Sequence, residues 1–515
     1  MPMPMDFDVA IVGGAFSGAS LALLLRREQP GLSVVIVERS EKFDRKVGEA
    51  TTEVSGDFLH KRLAMTRYLA NHHLPKQGLR MWFAESPQTP FDECVEVGPN
   101  FQVRMPSFQI DRAELDEHLL AEAEAAGAVL LRPAKVSEVE VSAEGGMLKG
   151  TRGEEAFRLR ARWVVDASGR AALLARKFGM LRSLEEHPTN AVWARFRGVE
   201  DWDGHALRSR FSDYAKSGIA SRAASTNHLM GYGWWCWIIP LKGGDFSAGL
   251  VYDRRLFALP KEGHPGARLK AHLLSHPVGR EIFQNAEPIE NDVRAYSGLP
   301  YASEKLAGPG WQIVGDAAGF LDPLYSAGLD YCSWTVRCAL GRIAAEAKGE
   351  SVDLEKVNRH FRESYAMWFE SLYRDKYVYL GDAELMAAAF WMDIALFYMG
   401  PVREVTTARE ADMECFPFNG PVDRLAGRFM RFYNGRLALL ARKRLEAGCY
   451  GRRNRGWRQL GGGFTPDAGS LRLFALGLRH WLRAEWHGLF LRPRRGWETA
   501  AANIDETSSQ PVTAI

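Results

Sequence analysis

Asp8-Val9-Ala10-Ile11-Val12-Gly13-Gly14-Ala15-Phe16-Ser17-Gly18 decides how this chain folds. A short apolar run stops at glycines, as a strand buried on both faces of a parallel sheet does. Residues 20–27 then read as a helix with apolar Leu21, Leu23, Leu24 and Leu25, and residues 33–38 as the next strand. The first forty residues are therefore a βαβ unit. Gly13 permits the tight turn and Gly18 close helix–sheet packing, while the helix N-terminus offers free N–H groups and partial positive charge to a pyrophosphate. Ala15 stands where a middle glycine is usual and adds only a methyl. Glu38 ends the second strand, twenty residues after Gly18. Its carboxylate can accept both hydroxyls of a ribose that lacks a 2′-phosphate. The expected dinucleotide contacts are Gly13, Ala15, Phe16, Gly18, Glu38 and Arg39.

Outward from this unit, residues 112–126 read as an amphipathic helix, and 129–132, 136–141 and 163–166 as strands. Residues 189–253 suggest a mixed or antiparallel sheet. A strand at 311–314 and a helix at 328–347 follow, and beyond Asp353 the pattern is mainly helical. The 515 residues suffice for two or three domains. No uninterrupted apolar run of about 18 residues is present, and residues 1–8 carry no basic region of a secretory signal. The six cysteines (94, 236, 332, 338, 415 and 449) form no C-x-x-C pair, so a reducing cytoplasm is expected. Net charge is only +3, yet residues 424–497 hold seventeen Lys/Arg against three Asp/Glu. Such asymmetry points to an acidic partner or an anionic membrane surface. Nothing resembles a nucleic-acid-binding module, and His272 and His276 share a helix face without a third metal ligand.

Further motifs follow in order. Asp166-Ala167-Ser168-Gly169-Arg170, Gly315-Asp316-Ala317-Ala318 and Gln109-Ile110-Asp111-Arg112 resemble segments of the glutathione-reductase-like flavoproteins. That resemblance implies FAD, with Asp316 on a ribityl hydroxyl and Arg112 near the flavin. Four more stretches are Trp235-Cys236-Trp237-Ile238-Ile239-Pro240, Phe320-Leu321-Asp322-Pro323-Leu324-Tyr325-Ser326-Ala327-Gly328, His73-Leu74-Pro75-Lys76-Gln77-Gly78 and Lys46-Val47-Gly48-Glu49-Ala50-Thr51-Thr52. Together they resemble the flavin-dependent halogenases over residues 6 to about 400. The resemblance implies that Trp235 and Trp237 keep the organic substrate off the flavin. It implies that chloride or bromide binds at Ser326, Ala327 and Gly328, and that Lys46 and Glu49 lie in a strap over the cofactor. Lys76 is then the catalytic lysine, which receives hypohalous acid and presents it to the substrate. A compact ammonium whose pKa drops on burial suits that task. No second nucleotide fingerprint is present, so FADH2 is expected from a separate flavin reductase that binds transiently.

The expected fold is α/β: a glutathione-reductase-like FAD-binding fold with an inserted mixed β-sheet substrate region and a helical C-terminal region. The expected divisions are 1–185 with 295–350 for FAD, 186–294 for the sheet carrying the double tryptophan, 351–498 for the helices, and 499–515 as a disordered tail. Tryptophan halogenases carry a glutamate where Tyr325 stands in this chain. The resemblance therefore favours an electron-rich phenol or pyrrole in a pocket that includes Tyr325, in secondary metabolism. Trp368, Phe369, Tyr373, Tyr377, Tyr379, Phe390, Trp391, Phe397 and Tyr398 serve either as its lining or as ordinary core. The substrate is free, lipid-like or tethered to an acyl carrier. Residues 471–490 mix Leu, Phe and Trp with arginines. They read as a peripheral contact with the inner membrane surface, a carrier-protein dock, or a solvated face. A flavin monooxygenase or dehydrogenase, or a non-catalytic FAD-binding protein, is the alternative on the same scaffold.

Overall fold

The computed structural model describes residues 6–100, 105–216, 221–408, 416–462 and 464–493. The expected disordered tail, 499–515, lies outside the described residues. Strand Phe7–Val12 pairs in parallel with Val34–Val37 and with Glu155–Asp166. Val129–Leu131 extends the sheet in parallel on one side and Trp311–Ile313 on the other. The Phe16–Glu28 and Gly328–Ala347 helices pack on it through Leu21, Leu23, Leu24, Val336, Leu340 and Ile343. A run of apolar residues buried on both faces requires this arrangement, because each face of a parallel sheet must be covered. The expected 163–166 strand is the end of a longer one whose first half pairs with Gly145–Arg152. That half is polar and half-exposed, which hides it from an apolar-run reading.

A nine-stranded mixed sheet forms the second layer. Its order runs from Glu287–Pro288 through Thr189–Arg197, Phe246–Asp253, Trp234–Pro240, Thr226–Gly231, Leu79–Phe83 and Val95–Pro99 to Arg458–Gly461. The sheet thus reaches beyond 186–294. It takes two strands from the N-terminal segment and one from the C-terminal region, which is not wholly helical. Its centre places Trp235 opposite Val251 and Trp237 opposite Gly249. Gly249 leaves room for the indole, since a Cβ there would lie 2.3 Å from Trp237 Cζ2.

The helical region packs against both sheets. Helix Ala383–Phe397 is buried almost all round. The segment Ala383–Thr407 is long and apolar enough to cross a membrane by length and composition, although 67% of its most apolar window is buried inside the protein. Asp393 interrupts its apolar run. Burial marks a core helix. Helix Ala468–Gly488 packs on it, and the Tyr433 hydroxyl donates to both Ala388 O and Gly477 O at 3.0 Å.

Candidate active site

Two cavities are linked by one hydrogen bond, from Lys76 in the lining of one to Ser326 in the lining of the other. The first is a cleft of about 2270 Å³ along the parallel sheet, lined by Gly13, Ala15, Phe16, Glu38, Arg39, Lys46, Glu49, Arg112 and Asp316 among others. A Cβ on Gly13 would lie 2.4 Å from Ala167 O, and one on Gly18 1.9 Å from Gly13 O. The turn therefore closes only with glycine at both positions. The Phe16–Glu28 helix begins at Ala15 without a side-chain cap, which leaves its first N–H groups for an anion. These features form a cradle that fits an extended dinucleotide such as FAD. Glu38 already accepts from Gly14 N at 2.7 Å and Ser40 N at 2.8 Å. Its carboxylate is thereby fixed, with further lone pairs directed at the cleft. Arg39 is exposed at the rim.

Two positive groups of the cleft, Arg112 and Lys46, share a carboxylate that sequence reasoning missed. Arg112 makes bonds of 3.2 and 3.1 Å to Asp116, and Lys46 Nζ lies 2.8 Å from the same residue. Asp116 stands one turn beyond Arg112, so the i,i+4 spacing was the available signal. Arg112 also donates to Val47 O at 3.3 Å, tying the 46–52 strap to its helix. Glu49 lines the cleft, but its Oε1 is held by Arg195 Nε and Nη2 at 3.1 and 2.7 Å, and Arg195 also bonds Asp111 at 2.7 Å. It acts as an anchor of the strap to the sheet. Burial pushes the Glu49 carboxyl up and Arg195 pulls it back. Burial likewise raises Asp316, against Arg112, Arg170 and Lys46.

Trp235 and Trp237 both line this cleft, two residues apart on one face of their strand. Trp235 Nε1 donates to Tyr377 OH at 2.8 Å, and Tyr377 OH donates to Asp322 Oδ2 at 2.8 Å. The Asp322 Oδ2 also meets His187 Nε2 at 2.9 Å, while its Oδ1 accepts from Leu324 N at 2.9 Å. One buried chain thus fixes the double-tryptophan strand to the 320–328 loop. In that loop Tyr325 and Ser326 both have positive φ, 72° and 63°. The backbone then returns to φ −76° at Ala327, where the Gly328–Ala347 helix starts uncapped. An uncapped helix start leaves its first N–H groups free, which suits a small anion. Ser326 and Gly328 face the cleft, and Ala327 lines the second cavity.

The second cavity is smaller, about 640 Å³ of non-atom space with open solvent counted in. Leu79, Trp368, Phe390, Ile394, Phe397, Tyr398 and Phe464 supply its apolar walls. Of the aromatics singled out above, Trp368, Phe390, Phe397 and Tyr398 line it, together with Tyr325. Phe369, Tyr377, Tyr379 and Trp391 belong to the core, and Tyr373 faces a smaller pocket behind the loop. Lys76 also lines the cavity and is 4% exposed. Its Nζ donates to Thr51 O at 2.7 Å and to Ser326 Oγ at 3.3 Å. The ammonium thus reaches from the aromatic cavity to a residue that faces the cleft. Burial lowers its pKa to about 8, and Glu53 and Asp330 pull it back up. Glu53 is a further residue of the cavity, with Oε1 held by Tyr398 OH at 2.7 Å. It follows Thr52 directly, and only folding turns it toward Lys76. Among the described residues no group of three or more His, Cys, Asp or Glu could hold a metal.

With this geometry in view, the comparisons decide the family. The tryptophan halogenase family model matches residues 91–391, more than half of the chain. This chain belongs to the tryptophan halogenase family. It is an enzyme, an FAD-dependent halogenase that uses FAD and a halide. The chain is 26% identical over 430 residues to a flavin-dependent halogenase of Dictyostelium discoideum, covering 76% of this chain and 69% of that protein. It is 27% identical to the sulochrin halogenase of Aspergillus terreus, covering 70% and 67%. It is 22% identical to the 1H-pyrrole-2-carbonyl-(peptidyl-carrier protein) chlorinase of Pseudomonas fluorescens, covering 79% and 95%. The crystal structure of halogenase PltM in complex with phloroglucinol and FAD superposes with a TM-score of 0.72 at 18% identity, over 92% of this chain and 96% of that one. A flavoprotein/dehydrogenase of Cytophaga hutchinsonii gives 0.63 at 19%, over 85% and 98%. Both structures speak to the fold, which alone does not separate halogenases from dehydrogenases.

Proposed function

We propose that this halogenase acts on an electron-rich phenol- or pyrrole-type ring held in the aromatic cavity, with Lys76 as the group that presents hypohalous acid. The observation that carries this reading is the position of Lys76, which lines the aromatic cavity while its ammonium touches Ser326 of the cleft. Gly13, Ala15, Phe16, Gly18, Glu38, Arg39, Lys46, Glu49, Arg112 and Asp316 would hold FAD, and Ser326, Ala327 and Gly328 the halide. When bound, reduced FAD supplies with oxygen the two-electron oxidation that turns halide into hypohalous acid. Trp235 and Trp237 fill the space beside the cleft and keep the ring on the far side of Lys76.

Delivery then rests on this chain's residues. The Lys76 ammonium, anchored to Thr51 O, donates a hydrogen bond to the oxygen of the acid. The ring carbon attacks the halogen, the halogen–oxygen bond breaks, and the departing hydroxide takes a proton from the Lys76 ammonium to become water, the ring's own proton restoring that charge afterwards. The ring's displaced proton goes first to Glu53, whose raised pKa favours accepting it. Tyr325 in place of a carboxylate disfavours free tryptophan. The relatives named for sulochrin and for a carrier-bound pyrrole support aromatic rings of this kind, whether free or tethered. A separate reductase supplies reduced flavin, as the reducing cytoplasm expected from the cysteine pattern allows.

The test is reduced FAD, oxygen and bromide with a panel of phenols, pyrroles and indoles, read by mass spectrometry. A bromine isotope doublet that disappears in Lys76→Ala, while FAD binding persists, is the expected result. Bromination retained in that variant removes Lys76 from the mechanism. Oxygenated products without bromine point instead to a monooxygenase on this scaffold.

The C-terminal helix supports a docking role for an anionic partner. Trp486, Leu489 and Phe490 are exposed beside Arg479 and Arg483. Trp486→Ser with Phe490→Ser should leave bromination of free rings unchanged. A loss of turnover confined to carrier-bound rings identifies a carrier dock, and a loss of binding to anionic vesicles a membrane contact.

A further inference from the structure

Asp393 is a buried acid that the delivery chemistry leaves unused. It lies on the Ala383–Phe397 helix, lines the aromatic cavity and is 4% exposed. Its Oδ2 accepts from Tyr325 OH at 2.7 Å and from Lys376 Nζ at 2.5 Å. Lys376, fully buried, also reaches Tyr325 OH at 3.4 Å, so the three groups close a triangle behind the cavity wall. Burial penalises both charged forms of the Lys376–Asp393 pair, and each partner offsets the other's penalty. The remaining oxygen, Asp393 Oδ1, is buried and has no hydrogen-bond partner among the described residues. The cavity that Asp393 lines is walled largely by hydrocarbon and rings, Phe390, Ile394, Phe397 and Phe464 among them.

A buried acceptor left without a donor is destabilising, and native proteins seldom keep one without a use. The two donors that reach Asp393, the Tyr325 hydroxyl and the Lys376 ammonium, both point at Oδ2. Glu53 belongs to the Lys76 end of the cavity, where Tyr398 fixes it. We infer that Asp393 Oδ1 accepts a hydrogen bond from the substrate's own ring O–H or N–H. Asp393 is then the residue that selects a donor-bearing ring and sets which carbon faces Lys76. This inference rests on the reading of the aromatic cavity as the substrate site.

The experiment measures equilibrium Kd values on the FAD-loaded protein, with no turnover. The probes are 2-naphthol, 2-methoxynaphthalene and naphthalene, with indole and 1-methylindole as a second pair. Wild type should bind 2-naphthol at least about tenfold more tightly than naphthalene or 2-methoxynaphthalene, and indole more tightly than 1-methylindole. In Asp393→Asn the amide oxygen stays with Tyr325 and Lys376, so an NH2 donor replaces the unpaired Oδ1 acceptor. The preference should then reverse in favour of 2-methoxynaphthalene. Wild-type affinities within about threefold across the series, or an Asn variant that keeps the hydroxyl preference, overturn the assignment. Should the Asn variant fail to fold, the two wild-type series decide alone. Binding of none of the probes overturns the assignment together with the cavity as substrate site. Bromination of any ring by the same protein tests the halogenase reading separately.

Discussion

At the residue scale the decisive group is Lys76. Its pKa, lowered by burial to about 8, leaves the ammonium in the majority at pH 7. If that ammonium presents the hypohalous acid, halogenation should fall as pH rises through about 8 while FAD affinity stays constant. A pH–rate profile rising through that value would favour a neutral amine as the reacting form. Stability has the opposite sign. The folded pKa lies below the usual 10.5, so between about 8 and 10.5 the unfolded chain binds the extra proton. This group's contribution therefore becomes more favourable as pH rises across that window. Lys76→Met should be more stable than wild type at pH 7, by about 1–3 kcal/mol, and the gap should close by pH 10.5. Denaturant melts at the two pH values check this, and a gap independent of pH would show that the lysine's charge is not the cause. Lysine and its Leu-Pro lead were visible in sequence. Its contact with Ser326, 250 positions away, was not.

At the element scale the strap and the Gly328–Ala347 helix are locked together. Asp330 Oδ1 accepts from Thr52 Oγ1 at 2.6 Å and Ser55 N at 3.0 Å, while its Oδ2 is buried without a hydrogen-bond partner among the described residues. Burial raises its pKa to about 7. A folded pKa above the unfolded value means that the folded state holds the extra proton from about pH 4 to about pH 7. Asp330 therefore stabilises relatively at the acid end, and that benefit is lost as pH rises to 7. Asp330→Asn keeps an acceptor for both donors and removes the ionisation. It should gain about 1–2 kcal/mol over wild type at pH 8, with little difference near pH 4. Urea melts at pH 4 and 8 give the comparison, and equal differences at both would discard the ionisation argument. Most elements here were legible, because the helix at 112 repeats leucine on one face at 115, 119 and 120 and the double-tryptophan strand is one continuous apolar run. Strands Gly145–Arg152 and Arg458–Gly461 were not, because neither shows an apolar pattern and each is held by its neighbour's backbone.

At the scale of the whole molecule, the C-terminal helices support the aromatic cavity from behind. Helix Ala383–Phe397 presents Phe390, Asp393 and Ile394 to the cavity, and its backbone meets Gly477 of the last helix. A Cβ on Gly477 would lie 2.9 Å from Met392 N and 3.2 Å from Ala388 O. Gly477→Leu should force the helices apart, at about 1–3 kcal/mol of stability. It should also raise the KM for the aromatic ring more than it lowers kcat. Thermal melts with steady-state kinetics check both, and an unchanged KM would mean that the cavity is shaped without this helix.

The sequence by itself determined the βαβ unit, the dinucleotide turn, the double-tryptophan strand and the presence of Lys76. Each of these rests on local periodicity or on a motif whose residues lie within one or two turns of chain. Only the tertiary structure decided which charges meet. Arg195 joins Glu49, Arg112 and Lys46 share Asp116, Tyr398 turns Glu53 toward the lysine, and Tyr325, Lys376 and Asp393 close a triangle from three separate elements. The physical reason is that a buried charge is stable only beside its partner. That partner is supplied by whichever element folding brings alongside, and local sequence carries no record of it.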